Sequence, residues 1–219
     1  MIQVAEITRL PIFEVLSPDE TALFLPKIQY SVHPKNTVVF AAQSPADRIY
    51  LLLSGYIKTG IILPDEKEVA KQLVQPGDFL GIGTIMNHPV HEEFAKTLSV
   101  EAKVLSVSKA DFTTLMARNP RFLQAVLQMA GKTLARSEAR LEMLLTSDVR
   151  TRLDTFLKEH KRHHSDFNGL ETLLSFGLTQ QDIAHMIGAT RQTVALILQE
   201  QRKARLNVPP ADARHRVSV

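Results

Sequence analysis

The sequence predicts an α+β protein in three parts: an N-terminal antiparallel β-roll, one long helix and a C-terminal winged helix-turn-helix. Three observations predict it. Short β-rich runs punctuated by turn signals fill the segment from Ile28 to about Val107. A helical apolar stripe follows from Pro120 to Thr146. Finally, Leu178 to Leu198 reads as two short helices meeting at a glycine. The expected boundaries are 1–118 for the roll, 119–146 for the long helix and 147–219 for the helix-turn-helix part.

Taken in order, Ile7, Leu10, Phe13 and Leu16 suggest short helical turns, and Ser17-Pro18 opens a further turn of helix. The β-rich runs are Thr37–Phe40, Ile49–Leu53, Tyr56–Leu63 and Lys96–Val107. They are separated by Ser44-Pro45, Ser54-Gly55, Pro64-Asp65 and Pro76-Gly77. The stripe after Pro120 consists of Leu123, Leu127, Ala130, Leu134, Ser137, Leu141 and Leu144 in alternating steps of four and three. That spacing is a coiled-coil seam, flanked by Lys132, Arg136, Glu138, Arg140 and Glu142, and it favours a parallel dimer helix. Ser137 interrupts the seam, either loosening it or setting its register. The helix should end near Thr146-Ser147, with Ser147 or Asp148 capping the next one, whose apolar face is Val149, Leu153, Phe156 and Leu157.

The stretch from Thr179 carries the chemistry. Thr179 is a good N-cap, Ile183, Ala184 and Ile187 recur at helical spacing, and Gly188 suits a helix end. Thr190 offers a second cap before Val194, Ile197 and Leu198. The front of the second helix, Arg191 and Gln192 with Thr193 beside them, then faces away from the buried side, where base-reading side chains sit. Arg pairs with guanine and Gln with adenine in the major groove. Thr179, Gln180, Gln181 and Thr190 stand at helix starts, where free backbone N–H groups and short polar side chains bind phosphates. Periodicity alone leaves an ordinary helical hairpin with a solvated Arg191 as the alternative.

Composition limits the function classes. The 219 residues are 44% hydrophobic and 22% charged, with no run near the roughly 18 apolar residues of a membrane helix and no secretion signal. No membrane partner and a cytoplasmic location are therefore expected. Cysteine is absent, which excludes disulfides, thiolate zinc sites and Cys-ligated iron–sulfur clusters within the chain. The net charge of +3 lies wholly in residues 147–219, which hold 11 Lys/Arg against 8 Asp/Glu, together with five of the eight His. That excess is modest for a nucleic-acid binder, doubles on dimerisation, and can be concentrated on one face.

Thr179 to Val194 resembles the helix-turn-helix of the catabolite activator and fumarate–nitrate reductase regulator (Crp/Fnr) superfamily. Its pattern of Thr, Gln, acid, Ile, Ala, Ile, Gly, small residues, Arg, Gln, Thr and Val is matched nearly throughout. Ile49–Gly55 is similar to that superfamily's strand and turn in the cyclic-nucleotide-binding fold. Gln75-Pro76-Gly77-Asp78-Phe79, completed by Gly81, is similar to its Pro-Gly-Asp corner. The resemblance covers most of residues 5–219. It implies a homodimeric transcription regulator of double-stranded DNA, with RNA polymerase as a candidate further partner. The long helix would separate two recognition helices that read a pseudo-palindrome with half-sites about 34 Å apart. Sensor and DNA-binding parts would shift about a hinge near Thr146–Asp148.

The sensor region departs from the family. A Glu that binds ribose in cyclic-nucleotide-binding members aligns with Ile82, beside Gly83, and an Arg-Ser pair that binds the cyclic phosphate aligns with Glu92-Glu93. No Arg occurs between Arg48 and Arg118. An aliphatic chain cannot accept the ribose hydroxyl, and two carboxylates repel a phosphate. Cyclic AMP binding in the family's usual way is therefore not expected, no cofactor is predicted, and any small-molecule effector is unknown. His88, His91, Glu92 and Glu93 (HPVHEE) can be read as haem or metal ligands; their spacing and Pro89 favour a solvated loop instead. His33 reads as a loop residue, and Gly81, Gly83 and Thr84 imitate a phosphate-binding loop weakly. Arg136 and Arg140 are placed to reach an acidic effector from the long helix, although an exposed helix face accounts for them more simply.

Three C-terminal segments complete the reading. His160–Ser165 is a basic loop for solvation or a phosphate contact. Gly169–Phe176 suggests short strands, and Leu206–Val208 with Arg216–Val219 suits a wing hairpin. Two residues depart from the family: Gln201 stands where a Leu is usual, and Leu196 where some members place a second base-reading Arg. With the modest charge they point to a rival behind the leading regulator reading, a β-roll sensor or scaffold with degenerate DNA binding. An enzyme is not expected, since no nucleophile–base arrangement, metal spacing or paired carboxylates appear.

Overall fold

The computed structural model of the chain describes residues 10–86, 88–161 and 177–206. Helix α1 (Pro18–Phe24) starts in a capping box: Ser17 Oγ accepts from Glu20 N, and the Glu20 carboxylate accepts from Ser17 N at 2.9 Å. Eight strands follow: β1 (Gln29–Pro34), β2 (Val38–Phe40), β3 (Arg48–Ser54), β4 (Ile57–Ile62), β5 (Glu68–Val74), β6 (Phe79–Leu80), β7 (Phe94–Thr97) and β8 (Glu101–Ser108). They form two four-stranded antiparallel sheets, ordered β1-β8-β3-β6 and β2-β7-β4-β5.

The predicted run Lys96–Val107 divides between the sheets. Leu98 N bonds to Tyr56 O, and Ser99 Oγ accepts from Tyr56 N at 2.9 Å while donating to Glu101 O at 2.7 Å. These bonds turn the chain from β7 into β8. Gly55 faces this corner with φ +86, and a Cβ there would meet Glu101 O at 2.4 Å, so only glycine fits. Strand β1 also takes in His33, expected in a loop; its Nε2 lies 2.8 Å from Ser31 Oγ.

Alternation along β3 and β8 serves two cores. Ile49, Leu51, Leu105 and Val107 pack on Phe24, Phe112, Phe122 and Val126 of the helices. Leu52, Ala102 and Val104 face the interior of the roll with Phe40, Ile57 and Val74. Phe24 lies on α1, Phe112 on α2 (Lys109–Arg118), and Phe122 and Val126 on α3 (Pro120–Thr146). Asn119 starts α3 by accepting from Phe122 N at 2.9 Å, with Pro120 in the first turn. The helix ends at the extended Ser147, and Asp148 accepts from Thr151 N at 2.8 Å to open α4 (Val149–Lys161).

The helix-turn-helix comprises α5 (Gln180–Ile187) and α6 (Arg191–Leu206). Its core is Leu153, Phe156, Leu178, Ile183, Ile187, Val194 and Leu198, and it is shared with the roll: Tyr56, Ala70, Leu73 and Leu98 belong to the same cluster. Ile7, residues 162–165 of the basic loop, the expected strands over Gly169–Phe176 and the wing beyond Leu206 lie outside the described residues.

Candidate nucleic-acid interface

Local rules build the hairpin. Thr179 Oγ1 accepts from Asp182 N at 3.0 Å, and the Asp182 carboxylate accepts from Thr179 N at 3.0 Å. Gly188 ends α5 in the left-handed region, φ 63 and ψ 49, and Thr190 Oγ1 accepts from Thr193 N at 3.1 Å to start α6. Arg152 of α4 donates to the carbonyls of Ile187, at 2.9 Å, and Gly188, at 3.1 Å, holding the turn from behind.

Arg191 and Gln192 are exposed at the front of α6, while Val194, Ile197 and Leu198 are buried behind them. Thr179, Gln181 and Thr190 are exposed as well; Gln180 and Thr193 are half-buried. Thr179 caps α5 as described, and three more of these side chains are engaged within the fold. Gln181 Nε2 lies 2.7 Å from His185 Nε2, and Thr193 Oγ1 lies 2.8 Å from Thr190 Oγ1. Further along α6, Leu196 is 57% exposed and Gln201 donates to Asp154 Oδ1 at 2.8 Å. A hydrogen bond to α4 thus replaces the apolar contact a Leu would make there.

Sequence reasoning missed the contacts that hold this hairpin against the roll, because they join residues distant in the chain. Lys58 Nζ of β4 lies 2.7 Å from Asp182 Oδ1, and Ala70 N of β5 donates to His185 Nδ1 at 3.3 Å. Burial pushes the Asp182 carboxyl up, but hydrogen bonds from Lys58 and Thr179 and the Lys58 charge outweigh it and hold its pKa below the ordinary value. The periodicity of α5 gives no hint of this, since Asp182 already has a local role as a cap.

The long helix leaves Leu127, Leu134 and Leu141 about as open as one another, at 61%, 60% and 58% exposure. Ser137 is exposed on the same side, and Leu123, Ala130 and Leu144 are half-buried. Its other face turns toward the roll. Arg136 Nη1 donates to Asp78 Oδ1 at 2.9 Å, and Arg140 donates to the carbonyls of Lys71 and, at 3.5 Å, His185. Arg140 is therefore not an exposed-face residue, as its spacing suggested; burial lowers its guanidinium pKa, and its Nε is buried without a partner.

A cavity of about 390 Å³ opens between β5, α3 and α4, with Arg136 and Arg140 in its wall. A second, of about 210 Å³, lies against the Pro76–Asp78 corner and is lined by Ile82 and Arg136. Glu92, Glu93 and Gly83 line neither of these two cavities. Glu92 Oε1 lies 2.9 Å from His88 Nδ1 at the surface, and Glu93 pairs with Lys71 at 3.2 Å.

The expected solvated loop fails at His91, which is 5% exposed and stacked on Phe40 with ring centroids 4.0 Å apart. The loop is tied down by His91 N to Ser44 O and Gln43 N to His91 O, which carries the ring under Phe40. His88 and His91 thus occupy different environments. Among the described residues, no group of three or more His, Cys, Asp or Glu is placed to hold a metal. Nor is any described helix long and apolar enough to cross a membrane.

Comparison with known proteins agrees with this architecture. Residues 31–119 match the cyclic nucleotide-binding domain and residues 151–208 the Crp-like helix-turn-helix domain. The chain is 27% identical over 188 residues to the CRP-like cAMP-activated global transcriptional regulator of Mycobacterium tuberculosis, covering 86% of this chain and 84% of that protein. The fold is similar to that of FixK2 from Bradyrhizobium japonicum, with a TM-score of 0.70, 18% identity, and coverage of 81% of this chain and 86% of that one. It is also similar to a CooA mutant from Carboxydothermus hydrogenoformans, with a TM-score of 0.66, 19% identity, and coverage of 93% and 85%. With a cyclic nucleotide-binding domain joined to a Crp-like helix-turn-helix, the chain belongs to the Crp/Fnr family of DNA-binding transcription regulators.

Proposed function

We propose that the chain acts as a homodimer that reads a pseudo-palindromic DNA site and that its sensor part does not respond to cyclic AMP. The observation that carries the DNA reading is the exposed pair Arg191 and Gln192 on a helix whose opposite face is fully packed. Thr179, Gln180, Gln181, Thr190 and Thr193 supply phosphate contacts that set the register. The open leucines of α3 support dimerisation, because covering the exposed part of each would contribute roughly 1–2 kcal/mol of apolar transfer free energy.

Against cyclic AMP stand Ile82, which offers no acceptor to a ribose, and the acidic pair Glu92 and Glu93 where a phosphate would need a cation. The roll (1–118), dimer helix (119–146) and DNA-binding part (147–219) act as three units, with a hinge near Thr146–Asp148 between the helix and the DNA-binding part.

The test combines footprinting with sedimentation. Protection in two patches about one helical turn apart, by a particle of twice the chain mass, is expected. A strictly monomeric chain, or one that ignores every duplex at low ionic strength, overturns the reading. Micromolar binding of cyclic AMP by calorimetry overturns the sensor part alone. A second reading, a sensor with degenerate DNA binding, is favoured by the exposed Leu196, at the position where some members of the resembled family place a second base-reading Arg; equal affinity for all duplexes would support it.

A further inference from the structure

We infer that the cavity between β5, α3 and α4 is a binding site for a small monocarboxylate with an apolar body. Its volume of about 390 Å³ lies in the range of small-molecule pockets. Leu73, Met143, Phe156 and Met186 supply apolar wall, and Arg140 supplies the charge.

Charge accounting selects the ligand. Arg136 is matched by Asp78 at 2.9 Å and Lys71 by Glu93 at 3.2 Å. Arg140 meets two backbone carbonyls, and among the described residues no carboxylate pairs with it. Its Nε is buried without a partner, which leaves the guanidinium short of acceptors. A desolvated guanidinium held by neutral carbonyls is stabilised most by a carboxylate, which its planar fork matches. Glu159 also lines the cavity, and its charge disfavours a doubly charged phosphate. Of the three lining Lys and Arg residues, Arg140 is thus the one without an ion-paired carboxylate among the described residues, and it selects a ligand with one anionic group.

The location gives the ligand a mechanical effect. The walls come from the roll (Lys71–Gln75), the long helix (Thr133–Met143) and the DNA-binding part (Thr155–His160 and Met186). An occupant touches all three and so favours the arrangement in which α5 is docked on β5. Its regulatory meaning rests on the proposed function above; the binding itself does not.

Phenylbutyrate is the probe, titrated calorimetrically into the full chain without DNA. Saturable binding of one molecule per chain is expected, weakened by roughly tenfold or more in Arg140→Gln through loss of a charged hydrogen bond. Because Arg140→Gln also removes bonds to Lys71 and His185, Ala139→Trp provides a second variant that fills the cavity from α3 and should remove binding. Amide exchange over residues 182–187 should slow when the probe is bound. Absence of saturable binding, or binding undiminished in both variants, overturns the site, and displacement of the probe by inorganic phosphate overturns the carboxylate assignment. A chain that binds phenylbutyrate and ignores all duplexes sinks the regulator reading while leaving this one intact.

Discussion

Lys58 Nζ and Asp182 Oδ1 lie 2.7 Å apart, joining the sensor roll to the first helix of the helix-turn-helix across 124 residues of sequence. Both side chains are largely buried, at 13% and 7% exposure. Asp182 also closes the capping box with Thr179, so one carboxylate starts the helix and docks it. Helix start and domain contact are thereby coupled.

That coupling makes docking acid-sensitive. The Asp182 pKa is lower in the folded chain than in the unfolded one, so its contribution is full above about pH 4 and is lost as pH falls through the folded value. Asp182→Asn should cost about 1–3 kcal/mol at neutral pH and flatten the acid limb of stability. Denaturant melts across the acid range measure both; an unchanged acid limb would show the pair to be inconsequential.

His91 sets a second limit at higher pH. Burial on Phe40 lowers its pKa, against the opposing pull of Asp47 and Glu93. The neutral ring is thus favoured, and its stabilisation is present above about pH 6.5 and lost as pH falls through the lowered value. His91→Phe should remove that part of the pH dependence. A proton NMR titration placing His91 above the ordinary imidazole value contradicts this.

Gly188→Ala should destabilise the hairpin by about 1–2 kcal/mol, the usual cost of a side chain in the left-handed region. The new Cβ would lie 2.7 Å from Leu144 Cδ2, a flexible tip that can give way, and 3.1 Å from Arg152 Nη1, which need shift by only a few tenths of an ångström. Backbone strain therefore dominates. Thermal melting resolves the difference, and a neutral result would mean that the turn adopts another conformation in solution.

Leu134→Glu should dissociate the proposed dimer, since it sets a charge in the middle of an apolar seam in both copies. Sedimentation at micromolar concentration reads this directly. In the single chain Leu134 is 60% exposed, so the monomer's own stability should change little. A variant that stays dimeric would place the interface elsewhere.

Arg191→Ala should cost roughly 1–3 kcal/mol and relax base choice at one position. Binding measured across a duplex library distinguishes the roles. An equal loss on every sequence would make Arg191 a phosphate contact.

Sequence alone determined the elements whose causes are local. The cap at Thr179, the left-handed glycine at 188, the start of α3 at Pro120 and its end beside Ser147 each depend on residues within a turn or two. The exposed position of Arg191 followed from the same periodicity. Tertiary structure decided everything that depends on where a strand lands. It divided Lys96–Val107 between two sheets, drew His91 beneath Phe40, turned Arg140 toward the Lys71 carbonyl and set Asp182 against Lys58. The physical reason is range: helix propensity and capping act over a few residues, whereas burial and ion pairing are satisfied by whatever neighbour the folded chain brings near.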